Sequence, residues 1–370
     1  MENSRQLHVF RGLSALIVTI GHAKIIFWVG GLMYLQKYPI SSWGIADYFL
    51  FPIDLASSAG QEFVIVFFVL SGFFITHSFK KNKWSLNAFY INRFLRIFPP
   101  YIFAVLISVF VYFWIDRLNP EIFHTIIPRA TNVRMLNSFT ELNWTNFLRS
   151  LVFLDTLKHD YIAGNFSLWS LFHEACFYLG IPFLLNRLKI TAIVSFLLVA
   201  IGANFFLYNN LILMFLLYYS FSFFAGAYLY DLLIVKKVEV KINKIVSRFL
   251  VLVLFIGTLG VGLLEINMLS VLFPVLFSVV TIHSLLNFPI RKGVKIGSFF
   301  GDISYTLYLL HLPIFYLGYT VLSLMFGKFI FYERYYWLFV LLAIPISYVA
   351  YLLVEKQSIN LIKKLKKNKN

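Results

Sequence analysis

Residues 336–355 read YWLFVLLAIPISYVAYLLVE, nineteen consecutive positions without a charged side chain before Glu355. A helix rises about 1.5 Å per residue, so about twenty apolar residues cross the roughly 30 Å hydrocarbon core of a bilayer. The stretch therefore predicts a transmembrane helix. Working outward from it, comparable stretches lie near 7–29, 61–79, 98–116, 166–186, 190–208, 210–231, 249–266, 268–288 and 297–322. The fold class expected is an all-α integral membrane protein, a bundle of about ten transmembrane helices over 7–355. The fifth and sixth spans, and the seventh and eighth, are joined by only Tyr208-Asn209-Asn210 and Glu265-Ile266-Asn267, which predicts two helical hairpins.

Composition agrees with that reading. The chain is 60% hydrophobic and only 13% charged, whereas a water-soluble domain is about one quarter charged and needs a polar surface. Its single cysteine, Cys176, excludes a disulfide framework and a paired-cysteine metal site. The first apolar segment holds Arg11 and His22 and has no small-residue cleavage site after it, so it reads as a retained helix rather than a signal peptide. The net charge of +16 is explained by basic loops facing the cytoplasm rather than by nucleic-acid binding. With both termini inside, alternate loops place 23 of the 32 lysines and arginines on the cytoplasmic side, which sets the expected orientation. External segments are expected near 30–60 and over 117–165, the longer being the expected acceptor-binding feature. The basic tail 356–370, with Lys363, Lys364, Lys366 and Lys367, suits anionic lipid at the inner surface. No internal repeat and no appended domain is evident, so the chain reads as one membrane domain, 1–370.

Ionisable side chains inside hydrocarbon are costly and face the bundle interior, so each is a candidate for function. Arg11 and His22 stand eleven residues apart, a little over three helical turns, which places them on one face about 16 Å apart along the axis. Counting from the expected helix ends, His22 lies about 10 Å, and Glu174 about 12 Å, below the external surface, while His311 lies roughly 21 Å up from the cytoplasmic end of its helix. Three separate helices thus bring His22, Glu174 and His311 to comparable depth. Ser304 and Tyr308 precede His311 on one stripe, a polar path from the cytoplasm. Before the third span, a loop at Asn92–Pro100 is expected to hold Arg93 and Arg96 one turn apart, and paired guanidinium groups match phosphate oxygens.

Five strings occur in order: RGLSALIVTIGH (11–22), FFVLSGFFIT (67–76), RFLRIFPPY (93–101), SLWSLFHEACFY (167–178) and ISYTLYLLH (303–311). Together they resemble the acyltransferase-3 family, bacterial membrane O-acetylases of surface polysaccharide, over nearly the whole length from Arg11 to Glu355. The resemblance implies transfer of an acyl group, commonly acetyl from cytoplasmic acetyl-CoA, to a sugar hydroxyl of a surface polysaccharide or its lipid-linked precursor, outside the bacterial cytoplasmic membrane. Polysaccharide-assembly proteins are implied as further partners. By motif position His22 matches the family's essential histidine, Arg11 its partner arginine, and Arg93 and Arg96 its arginine pair. The expected catalytic residues are then His22, Glu174 and His311, with Arg11, Arg93, Arg96, Ser304 and Tyr308 binding the donor and no metal involved. Histidine suits either base or nucleophile in such a transfer, and a carboxylate such as Glu174 can support it. The Arg11–His22 separation is of the order of a phosphopantetheine arm. The chain resembles the stand-alone form of the family, without an extracytoplasmic esterase-like domain.

Other readings are weaker. Ser71-Gly72 lacks the GxSxG elbow and reads as close helix packing. His173-Glu174 begins like a zinc HExxH motif, but Phe177 stands where the second histidine is needed. The main rival is a glycolipid or polysaccharide flippase, against which stands the lack of broken helices in matched halves.

Overall fold

The computed structural model describes residues 4–27, 39–82, 85–120, 142–154, 161–205, 211–264, 268–290, 293–326 and 336–367. The hairpin turns expected at 208–210 and 265–267 lie outside them, as do residues 30–38 of the segment near 30–60 and residues 121–141 and 155–160 of the segment 117–165. Every regular element among the described residues is helical: α1 (Ser4–Phe27), α2 (Ile45–Ser57), α3 (Gly60–Asn82), α4 (Leu86–Leu118), α5 (Trp144–Leu151), α6 (Trp169–Leu184), α7 (Leu188–Phe205), α8 (Leu211–Tyr230), α9 (Lys244–Leu264), α10 (Leu269–Asn287), α11 (Val294–Phe326), α12 (Tyr336–Ala350) and α13 (Lys356–Lys367). Among the described residues, eight helical segments are long and apolar enough to cross a membrane, and Tyr219–Val235 is a shorter apolar one.

The expected spans 166–186 and 190–208 fall largely in one apolar segment, Phe166–Ala200, interrupted only by a 3-10 turn at Leu185–Arg187. At about 1.5 Å per residue its 35 residues would measure about 52 Å if straight, well beyond one hydrocarbon thickness. The stretch Asn92–Pro100, expected as a loop, lies inside α4. Pro99 and Pro100 lack the N–H groups that carbonyls four residues earlier would accept, and the Tyr305 hydroxyl donates to the neighbouring Ile97 carbonyl at 3.0 Å. The basic tail is helical through Lys367.

The chain forms two compact units, whose boundaries fall inside α1, α4, α6 and α11 and between α2 and α3. Unit 1 comprises Met1–Val18, Ser58–Arg93 and His173–Ser304; unit 2 comprises Thr19–Ser57, Phe94–Phe172 and Tyr305–Asn370. In unit 1, α3 packs on α8 and α10, α8 on α7, and α9 on α10. Glycine sets the closest of these crossings. A Cβ on Gly72 would sit 1.9 Å from the Phe223 carbonyl oxygen, and one on Gly226 would sit 1.9 Å from that of Val69. Without a hydrophobic force to drive helices together in lipid, such close backbone approach supplies the packing. Unit 2 has its own core of Tyr101, Ala104, Val105, Ile162, Leu168, Leu171, Leu309, Leu310 and Ala350.

Candidate active site

In unit 2, α1 carries His22 and α11 carries His311, and their imidazoles meet: His22 Nδ1 lies 2.7 Å from His311 Nε2. The ring centroids are 4.9 Å apart and the planes differ by 19°. Nearly coplanar rings with so short a nitrogen–nitrogen distance are joined edge to edge through a hydrogen bond, not stacked face to face. Its direction follows from the surroundings. His311 Nδ1 lies 3.0 Å from the Leu307 carbonyl, which can only accept, so Nδ1 carries the proton. In neutral His311, Nε2 is then an acceptor and His22 Nδ1 must donate to it. That leaves the Nε2 lone pair of His22 unprotonated, the atom a base or nucleophile needs. His311 is fully buried, while His22 keeps a partly accessible edge. Phe166 sets its ring against His22 at 5.0 Å and 70°, and Phe315 meets His311 at 5.7 Å.

Tyr308, one turn before His311, shares a hydrogen bond of 2.8 Å with Ser170 of α6, both in unit 2. Ser304 belongs to unit 1, and its hydroxyl donates to the Gly301 carbonyl within the same helix.

Glu174 also belongs to unit 1. Its carboxylate accepts from Ser71 Oγ at 3.0 Å and from the Tyr178 hydroxyl, and Ser71 and Tyr178 touch each other at 3.0 Å. Tyr178 sits one turn after Glu174 on α6, a spacing that could have revealed it from sequence. Ser71 has a polar role beside the close packing of Gly72. Arg93, still in unit 1, donates from Nη2 to Ser78 Oγ at 3.1 Å and lies over the rings of Phe89 and Tyr178. Arg11 donates from Nη2 to the Gly301 carbonyl at 2.8 Å, where Gly12 and Gly301 let α1 and α11 approach closely.

Arg96 belongs to unit 2. It forms an ion pair at 3.4 Å with Glu355, whose carboxylate is completely buried and accepts from Thr306 Oγ1 at 2.6 Å. Removing one member of a buried pair strands the other charge. Arg96 itself keeps 31% of its side chain exposed, so Arg96→Ala is expected to lower stability by about 1–3 kcal/mol, the cost of leaving one buried polar group unsatisfied, read as reduced membrane abundance and a lower melting temperature in detergent. Parental stability in that variant would show that Glu355 does not depend on the pair.

Among the described residues no three His, Cys, Asp or Glu side chains converge as a metal site would require.

The family model described as an acyltransferase domain matches residues 5–355. The chain belongs to the acyltransferase-3 family. It is thus a multi-pass membrane acyltransferase. No curated protein and no solved structure matches it. The matched span of this acyltransferase takes in the histidine pair of unit 2, the Glu174 cluster of unit 1 and all three arginines.

Proposed function

We propose that this membrane acyltransferase moves an acyl group, acetyl being the simplest choice, from cytoplasmic acyl-CoA to a sugar hydroxyl of a surface polysaccharide or its lipid-linked precursor. The setting is the bacterial cytoplasmic membrane, with about ten crossings and both termini inside. The observation that carries the chemistry is the hydrogen bond from His22 Nδ1 to His311 Nε2, which leaves His22 Nε2 as the reacting nitrogen. As base, that nitrogen takes the proton of the acceptor hydroxyl while the oxygen attacks the thioester carbonyl. The carbon–sulfur bond breaks, CoA leaves as thiolate, and the proton on His22 returns to it. His311 accepts from Nδ1 throughout and so orients the His22 ring and stabilises its protonated form, the part that the third member plays in a hydrolase triad. In the same proposal the Glu174 carboxylate, held by Ser71 and Tyr178, is a further catalytic group. Arg11, Arg93 and Arg96, with Ser304 and Tyr308, serve the donor.

The test is mass spectrometry of surface glycans from a deletion strain and from the same strain complemented with the wild-type chain. Complementation should add the mass of one acetyl group per modified sugar. Identical glycan masses in the two strains would refute the acetyl-transfer reading.

A further inference from the structure

Between α5 and α6 the chain makes two 3-10 turns, Ile162–Gly164 and Phe166–Leu168, and all of residues 161–168 are buried except Phe166, which is half-buried. Non-helical backbone at such a place is tolerated only where its polar groups are satisfied by protein. Here the turns close on their own backbone, the Gly164, Asn165 and Leu168 N–H groups donating to the Tyr161, Ile162 and Asn165 carbonyls, and one side chain ties the segment to its neighbours. The Asn165 amide nitrogen donates to Ser108 Oγ at 2.9 Å and to the Leu309 carbonyl at 3.0 Å, and its oxygen accepts from Ser167 Oγ at 2.6 Å. Asn165 itself is completely buried. The Tyr316 hydroxyl of α11 donates to the Gly164 carbonyl at 2.9 Å, a second tie between the turn and that helix.

The Leu309 bond has a specific cause. In an α-helix that carbonyl would accept from the N–H four residues on, but residue 313 is proline and has none. Pro313 therefore opens a hydrogen-bond gap at Leu309, two residues before His311, and Asn165 fills it. The turn so anchored carries Phe166, whose ring abuts His22. Ala163 sits at φ 49° and Gly164 at φ 68°, a left-handed bend that costs alanine about 1–2 kcal/mol. Strain of this kind persists where surrounding bonds over-determine the backbone, and such places cluster at functional sites.

We propose that Asn165 is the positioning residue of the histidine pair: by closing the gap left by Pro313 it fixes the 161–168 turn to α11, so that Phe166 bears on His22 while His311 is held in line with it. Asn165 touches neither imidazole and acts through Phe166 and Leu309. This rests on the proposed function only for its kinetic consequence.

The test compares the wild type, Asn165→Leu and the double variant Asn165→Leu/Pro313→Ala, each full length in lipid. Pro313→Ala restores the helical donor to Leu309, so the double variant should regain the stability and abundance that Asn165→Leu loses. Histidine-selective 15N NMR, with signals assigned through His22→Gln, should show the Nδ1–H to Nε2 bond in the wild type and its loss in both variants. With radiolabelled acetyl-CoA and the producing cell's lipid-linked glycan fraction, kcat of the double variant should fall by about tenfold or more, with both KM values unchanged, as misorientation of a reacting group predicts. Survival of the paired-histidine signal in either variant, or parental kcat in the double variant, would overturn the proposal. A wild type that shows the signal but transfers no acetyl would instead count against the acetyl-transfer function alone.

Discussion

His22→Gln should abolish glycan acylation while the protein accumulates normally in the membrane. Glutamine is close in size and still hydrogen-bonds, but it cannot take up a proton near neutral pH. Loss of a general base typically costs about 10²–10⁴-fold in rate, and loss of a nucleophile costs at least as much. The change is read as acetyl content of the glycan at matched protein abundance. His311→Gln makes a graded comparison: its side-chain oxygen can still accept from His22 Nδ1, so it should retain more activity than His311→Leu, which offers no acceptor. Wild-type acylation by the His22→Gln protein would remove His22 from the chemistry. Equal activity of the two His311 variants would deny His311 its orienting part.

The second large effect is expected from Gly226→Ala. An added methyl would have to occupy space 1.9 Å from the Val69 carbonyl oxygen and 2.7 Å from its carbon, and backbone cannot swing aside as a flexible side chain can. The helices α3 and α8 would have to separate along their contact, where the reciprocal position, Gly72, is closed just as tightly by Phe223. Overpacking typically costs about 1–3 kcal/mol, and rigid backbone on both sides puts this case at the upper end or beyond. Gly180→Ala is the control. Nothing lies within 4 Å of a Cβ there, and alanine is the better helix former, so that variant should be at least as stable as the parent. Membrane abundance and melting in detergent decide the matter, and equal behaviour of the two variants would refute the close-crossing account.

The helices themselves were legible because hydropathy over about twenty residues is set by the solvent and not by tertiary detail. Their interruptions were not. The span expected over 166–186 starts at Phe166, yet α6 begins at Trp169, because the turn before it is as apolar as the helix and is held by Asn165 through contacts distant in sequence. The Gly164-Asn165 dipeptide was the local signal available. The reverse occurred at Pro99-Pro100, which read as a loop but lies within α4. Matched depth pointed to His22 and His311, whereas the proton arrangement came only from the Leu307 carbonyl beside His311. Arg93 and Arg96 looked alike in sequence; their partners, Ser78 and Glu355, come from different helices and no local spacing distinguishes them.

Two short segments have π-helical geometry: Asp231–Val235 follows α8, and Tyr351–Glu355 follows α12. Each contains a buried carboxylate that grips basic side chains, Asp231 with Lys80 and Lys236, and Glu355 with Arg96. A π turn holds an extra residue over nearly the same rise as an α turn. It can therefore be regarded as a one-residue insertion absorbed within the turn. Deleting a single apolar residue between Tyr351 and Glu355 would restore the ordinary pitch while leaving the facing of Glu355 nearly unchanged. The charge pair with Arg96 would then outlast a change of chain length that in a regular helical turn would swing the acid round by about 100°.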